Sequence, residues 1–368
     1  MNATEIAREL VRIPSVNPDG DPGTSETGEK ACAEWLADFA ESHGARAELR
    51  EVLPGRPNIF ARWFPDQGKP KILFAPHTDT VSVLGMTIDP FAGEIREGRL
   101  YGRGATDTKG PMAAMLHALC RAADWAEDLP FELCFAGLVG EEAGQHGAKA
   151  LAAQEEFAFV MAGEPTGLDT VYTHKGSAWT RLRTSGRAVH ASRPQDGSNA
   201  IYAMCEVIAC LRTEVEAELA THSHPVLGRP TFSVGTIKGG SKVNIVPDMC
   251  EAVLDVRIIP GLEPDIVASL LKSRFPDLDV SVLGSLPLAT DPGHPLIGLL
   301  GKCGSRPVGA PWFCDAAVFA SKGCPAIAIG PGDIAQAHTA DEYIETAEIE
   351  RGSDFFLSFL ESLKDFRP

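Results

Sequence analysis

Short apolar runs that read as β-strands alternate along this chain with stretches of helical periodicity, and this alternation restricts the fold more than any other feature. A strand reached only after an intervening helix tends to run parallel to the strand before it. The pattern therefore predicts an α/β fold, a mixed and mostly parallel sheet flanked by helices. Residues 3 to 12 and 28 to 42 carry the helical period, with Ala31, Trp35, Leu36 and Phe39 spaced at three and four in the second. NIFARW and KILFAP, between residues 57 and 76, read as strands joined by the turn-forming PDQGKP. LYGRGATDTKG then passes through a glycine-rich turn into the helical PMAAMLHALCRAA, and FELCFAGLVGEE returns to a strand that ends in acids.

From about residue 176 to 286 the texture changes. SAWTRLRTSG, PTFSVGTIKGG and CEAVLDVRIIP alternate in strand fashion, whereas NAIYAMCEVIACLRTEVEAEL and PDIVASLLKSRF are amphipathic helices. The resulting β-α-β-β-α-β order predicts an inserted α+β, ferredoxin-like domain over 176–286, with a first domain made of 1–175 and 287–368. HPLIGLLGKC and AAVFASKG are helical and CPAIAIGPG is a buried strand, so the first pattern resumes after the insertion.

Composition narrows the function. The 368 residues are 44% hydrophobic and 23% charged, enough apolar content for a core throughout. Thirty-three Lys and Arg against 50 Asp and Glu give a net charge of -17 with no basic run, which argues against nucleic acid or an anionic membrane as partner. Nine cysteines, odd in number, scattered and without a C-x-x-C pair, argue against a disulfide framework or a thiolate zinc site and predict a reducing, cytoplasmic setting. The start, MNATEIARELVRIPSVNP, reads as a capped amphipathic helix stopped by Pro14, without the apolar stretch of a signal peptide. No window approaches 18 consecutive apolar residues, so no membrane span is expected.

In open α/β sheets, ligand groups collect beyond the carboxyl ends of the strands. Five positions fit that rule. His77 and Asp79 follow KILF two residues apart, so Asp79 can orient the imidazole as a carboxylate does for a metal-bound histidine; a loop histidine with a solvated aspartate is the other reading. Asp107 stands in YGRGATDTKG where a dinucleotide loop starting at Gly102 would need glycine, so it is either a ligand or a helix N-cap. Glu141 and Glu142 follow FELCFAGLV; adjacent side chains diverge, so one can bind a metal while the other addresses water. Glu164 ends the run FVMAG, and His338 follows the strand and turn of AIAIGPG. His77, Asp107, Glu142, Glu164 and His338 together form a nitrogen and oxygen donor set suited to zinc, cobalt or manganese. If Asp107 bridges, two divalent metals receive three protein ligands each and keep room for a shared water.

The residues carrying this chemistry resemble the M20 metallopeptidases, and within them the acetylornithine deacetylase and succinyl-diaminopimelate desuccinylase group. APHTDTV, YGRGATDTKGPMAA, GEEAGQHGA, GEPT, HKGS, GRAVHASRPQDGSNAI, VNIVPD, DVR and GPGDIAQAHTADEYI occur in that family's order over nearly the whole chain. The resemblance implies that His77 and Glu164 hold one metal, Glu142 and His338 the other, and Asp107 both. Asp79 then supports His77, and Glu141 is the general base. It further implies that 176–286 is a lid and dimerisation domain, that His190 reaches the active site of the partner subunit in a homodimer, and that Lys175, Asn244 and Arg257 bind substrate. For Arg257 a surface ion pair is the alternative, and for His190 a core or surface role.

These implied roles describe amide hydrolysis: Glu141 takes a proton from the attacking water, His190 donates to the developing oxyanion, and the proton passes to the leaving amine. Glu164 resembles the family's deacylases and carboxypeptidases, whose aminopeptidases and dipeptidases typically carry aspartate there. GPGDIAQAHTADEYI resembles acetylornithine deacetylase most, implying a small N-acyl amino acid as substrate and a place in arginine biosynthesis. Succinyl-diaminopimelate and a broader N-acyl-amino-acid or carboxypeptidase-type substrate are the alternatives, and a non-catalytic scaffold is the alternative from another class.

Overall fold

A computed structural model describes residues 1–367 of the chain. They form two compact units. The first is made of Met1–Tyr172, Thr290–Val308 and the chain from Cys314 onward, and the second of Thr173–Ala289 with Gly309–Phe313.

The first unit is built on a mixed sheet whose strands lie in the order Arg46–Leu53, Arg56–Trp63, Glu132–Gly137, Lys71–Pro76, Phe159–Gly163, Ala326–Ile329 and Thr170–His174, the last two residues of which already belong to the second unit. The central four, from Glu132–Gly137 to Ala326–Ile329, are mutually parallel, and antiparallel strands flank them on both sides. A parallel centre is covered on both faces, which is why its strands read as unbroken apolar runs rather than alternating ones. Ile72, Leu73, Phe74, Phe159, Val160, Met161 and Ala326 to Ile329 are indeed wholly buried. Helix Gly110–Ala122, the crossover from Lys71–Pro76 to Glu132–Gly137, packs against helices Ala3–Arg12 and Thr346–Ser362. The first helix begins where the sequence reading places it: the Asn2 side chain accepts from the Glu5 amide, and the Glu5 carboxylate accepts from the Asn2 amide.

All four parallel strands end on one edge of the sheet, and each is followed by a candidate residue. His77 follows Pro76, Glu141 and Glu142 lie beyond Gly137, Glu164 follows Gly163, and His338 lies beyond Ile329. Asp107 precedes the crossover helix rather than a strand.

The second unit is a four-stranded antiparallel sheet in the order Thr231–Gly239, Met249–Ile258, Gly176–Ser185, Asp279–Ser285. One face of this sheet is covered by the helix that starts at Ala200 and by helix Ile266–Arg274, with Leu182, Met204, Val207, Leu254, Val256 and Leu271 in its core. The alternation of buried and more open positions along Met249–Ile258, and along Gly176–Ser185 from Ala178 onward, follows from a sheet covered on one side only. Among the described residues no helix is long and apolar enough to cross a membrane.

A buried ion pair ties the start of strand Arg56–Trp63 to the residue that precedes helix Lys30–Ser42. Arg56 donates from Nε and Nη2 to the two oxygens of Glu29 at 2.8 and 2.5 Å, both side chains being almost wholly buried, and from Nη1 to Asp19 at 3.1 Å. Burial pushes the Glu29 carboxyl up, and the bonds from Arg56 oppose that shift. Removing the cation strands a buried carboxylate. Arg56→Met should therefore destabilise the protein by about 3–5 kcal/mol, while Arg56→Met combined with Glu29→Leu should recover most of that loss. Urea midpoints of the two variants check this, and equal losses in both would contradict it.

Candidate metal centre

His77 is fixed by the register of the sheet. Its backbone bridges to Leu138 on the neighbouring parallel strand, and the next amide, that of Thr78, donates to the Leu138 carbonyl at 2.7 Å. The imidazole is buried. Its Nδ1 lies 2.9 Å from the Asp79 carbonyl oxygen and 3.5 Å from the Asp79 carboxylate, so the backbone of Asp79 orients the ring more closely than the side chain does. The carboxylate of Asp79 is engaged elsewhere: it accepts from the amides of Glu141 (3.0 Å) and Glu142 (3.1 Å) and from Asn17 Nδ2 (2.8 Å). Asp79 thus ties the His77 strand end to the turn carrying both glutamates. That turn begins at Gly140, whose positive φ of 74° suits glycine.

Asp107 lies in a turn between Gly104 and the helix that starts at Gly110, and its peptide bond to Thr108 is cis. It does not cap that helix, which has no side-chain cap. Its Oδ1 lies 3.0 Å from His77 Nε2, and its Oδ2 lies 3.3 Å from His338 Nε2. His338 Nε2 is also 3.2 Å from Glu142 Oε1. Two groups of donor atoms result, His77–Asp107–Glu164 and Asp107–Glu142–His338, the atoms of each lying within 4.8 Å of one another, and Asp107 belongs to both. These are the same two groups of side chains that the family resemblance implies as ligands. Glu141 is buried beside Glu142 and belongs to neither group.

The electrostatics show what the groups need. Burial pushes Glu141 and Glu164 well above the ordinary carboxylate range; nearby acids add to this, and His77 opposes it. Glu142 is raised by burial as well, against its bond from His338. At Asp107 burial works in the same direction, but hydrogen bonds from His338 and His77 outweigh it and hold this carboxyl low. His338 in turn is pushed up to about 10 by its bonds to Asp107 and Glu142, and His77 is raised despite its burial by Asp107 and Asp79. A divalent cation among these donors would offset the crowded carboxylates with more charge than an imidazole supplies. The all-oxygen and nitrogen donor set fits such a cation.

Three further residues serve this region without having been singled out in the sequence. Asn17 donates to Asp79, and Glu342 accepts from amides of the Asp107 turn. Asp315 is buried, and burial pushes its carboxyl up to about 7 against the opposing influence of His77 and the Gln145 side chain. Their only sequence signals were weak: Asn17 follows the first helix, Asp315 precedes the apolar AAVFA, and Glu342 lies four residues after His338.

The other sequence-assigned residues belong to the second unit. His190 is exposed, with Nδ1 2.8 Å from Ser192 Oγ, and its backbone bridges to Ile245. Asn244 is next to that bridge, its carbonyl accepting from the Ala191 amide at 3.0 Å, so the structure brings His190 and Asn244 together. Arg257 lies on the uncovered face of the sheet and makes a two-pronged ion pair with Asp255, both contacts at 2.9 Å. Lys175 Nζ donates to the Arg229 carbonyl at 2.6 Å.

Comparison with known proteins agrees with this geometry. The sequence profile of peptidase family M20/M25/M40 matches residues 73–362. The acetylornithine deacetylase of Proteus mirabilis (strain HI4320) is 33% identical over 364 residues, covering 94% of this chain and 92% of that protein. That of Vibrio campbellii (strain ATCC BAA-1116) is 30% identical over 348 residues, 90% of each chain. Among solved structures, the M20 family metallo-carboxypeptidase Sso-CP2 from Sulfolobus solfataricus superposes with a TM-score of 0.80 at 20% identity, covering 99% of both chains, which is a likeness of fold.

Because Asp107 is shared, its loss should cost more than one ion. Asp107→Ala, measured by metal analysis after equilibrium dialysis against zinc, should retain at most about one weakly held ion, since two cations would then face each other without an intervening carboxylate. Two tightly retained ions would contradict the shared arrangement.

Proposed function

The chain belongs to peptidase family M20/M25/M40 and is a metallohydrolase of that family, and from this premise we propose that it cleaves the amide bond of an N-acyl amino acid at a dinuclear centre, with N-acetylornithine as its substrate. The observation that carries the reading is the pair of donor groups sharing Asp107, with Glu141 buried at their side and committed to neither.

His77, Asp107 and Glu164 would hold one divalent cation and Asp107, Glu142 and His338 a second, zinc suiting carboxylate and imidazole donors best, with cobalt or manganese as substitutes. When bound, such cations supply Lewis acidity toward the acyl carbonyl and the attacking water. The rest falls to the protein. Glu141, its amide anchored on Asp79, takes a proton from the attacking water, holds it on its carboxylate and delivers it to the departing amine nitrogen. Lys175, Asn244 and Arg257 bind the substrate carboxylate, with Asp255 holding the Arg257 guanidinium in orientation. In this reading the second unit, roughly 176–286, is a lid and dimerisation domain, and His190 of the partner subunit donates to the oxyanion in a homodimer. A cytoplasmic location is proposed from the odd, scattered cysteines.

A panel of N-acetylornithine, N-succinyl-diaminopimelate, other N-acyl amino acids and dipeptides, assayed with zinc-reconstituted protein, tests the substrate. Fastest turnover of N-acetylornithine is expected; preference for the succinyl compound or a peptide would move the assignment within the family, and no metal-dependent turnover of any would leave a scaffold. In the same assay Glu141→Gln should keep both metals and lose at least about 10²-fold in kcat. Loss of a metal, or activity near that of the wild type, would remove Glu141 from the role of base.

The homodimer makes a separate prediction. Inactive His190→Ala and inactive Glu141→Ala subunits, mixed and allowed to exchange, should regain roughly half the wild-type rate per heterodimer, because one of its two sites then carries neither defect. A His190→Ala protein with normal kcat would place oxyanion stabilisation elsewhere.

A further inference from the structure

Four donors saturate the carboxylate of Glu342, which is 1% exposed. Oε1 accepts from the amides of Thr106 (2.9 Å) and Asp107 (3.0 Å), and Oε2 accepts from the amide of Gly104 (3.0 Å) and from Arg103 Nη1 (2.8 Å). The clamp extends along the chain on both sides. The Gly102 amide donates to the Glu342 carbonyl (3.1 Å), the Thr106 hydroxyl to the Tyr343 carbonyl (2.6 Å), and Arg103 Nη1 to the Thr339 carbonyl (3.3 Å). Segments 102–107 and 339–343 therefore form one bracket, with Asp107 at the end of one arm and His338 next to the other.

The two donor groups depend on this bracket unequally. His77 and Glu164 stand directly on ends of parallel strands, and Asp107 has a second tie on that side, because the hydroxyl of Thr108 donates to the carbonyl of Gly163, the residue before Glu164. His338 has no such footing. It lies outside every strand, half-exposed, with a left-handed φ of 63°; its segment is tied to the Thr166–Gly167 turn through Gly332 and Asp333 and to Thr87 through Ala340, and the bracket is what links it to the Asp107 turn. Resting on the metal-centre reading above, we propose that Glu342 is a positioning residue that holds Asp107 and His338 at a fixed separation. The Asp107–Glu142–His338 group then requires it, whereas the His77–Asp107–Glu164 group largely does not.

Glu342→Gln in the full-length protein tests this. Whichever way its amide turns, the NH2 faces two of the four donors, so half of the clamp is lost at nearly constant shape. Zinc binding by equilibrium dialysis should show one ion held as in the wild type and the second weakened about 10- to 100-fold, the usual cost of losing a group that orients a ligand. Cobalt substitution gives an independent reading, since the visible band should lose the contribution of one ion only. Glu342→Ala should widen the gap between the two affinities; if that variant does not fold, the Gln variant decides. A merely structural role would lower the melting temperature of the metal-free protein and shift both affinities together, which would overturn the proposal, as would two unchanged affinities. Wild-type protein that holds fewer than two ions would instead defeat the metal-centre reading and this inference with it.

Discussion

Crowding Asp79, Asp107, Glu141, Glu142, Glu164 and Asp315 around two imidazoles is electrostatically costly, and the architecture around this cluster is arranged to sustain it. Burial alone raises each of these carboxyls, and mutual repulsion adds to the effect at Glu141 and Glu164. The carboxylates are largely buried, so much of the compensation has to come from hydrogen-bond donors placed by the fold or from cations. Asp79 shows the first solution: His77 foremost, then Asn17 and the amide of Glu141, hold its carboxyl low in spite of complete burial. The two donor groups sharing Asp107 are suited to the second.

A parallel sheet makes such crowding attainable. Its strands all end on the same edge, so short loops from strands distant in sequence deliver side chains to one place while the apolar runs behind them stay buried. The mixed flanks of the sheet do not alter this, because the four parallel strands are contiguous. His77 and Glu164, each one residue past a strand, are thereby forced together, and the longer connections after Gly137 and Ile329 bring Glu141, Glu142 and His338 to the same edge. Asp107 is the exception: a turn supplies it, and that turn must be held by other means, which is the part played by the bonds from its backbone to Glu342.

The second unit obeys a different constraint. With helices on one face only, its strands alternate, and the uncovered face carries Arg257 beside Asp255. The ion pair written as an alternative for Arg257 is present, and a guanidinium fixed by one carboxylate still has donors left for another.

Much of this was legible from the sequence because it depends on local periods. Apolar runs followed by acids or histidine marked the sheet edge, the capped amphipathic pattern ended by Pro14 marked the first helix, and the switch to alternation at about 176 marked a change of architecture. What only the tertiary structure decided are pairings between residues far apart in the chain: Glu342 with the Asp107 amide across 235 positions, Asp79 with the Glu141 and Glu142 amides, Asn17 with Asp79, and Arg56 with Glu29. The same holds for His77, whose ring is oriented by the Asp79 carbonyl more closely than by the carboxylate. The physical reason is that periodicity specifies which face of an element is buried. A carboxylate's hydrogen-bond partners depend instead on which loops meet at the sheet edge, and backbone amides, common to nearly every residue type, leave no mark in the sequence.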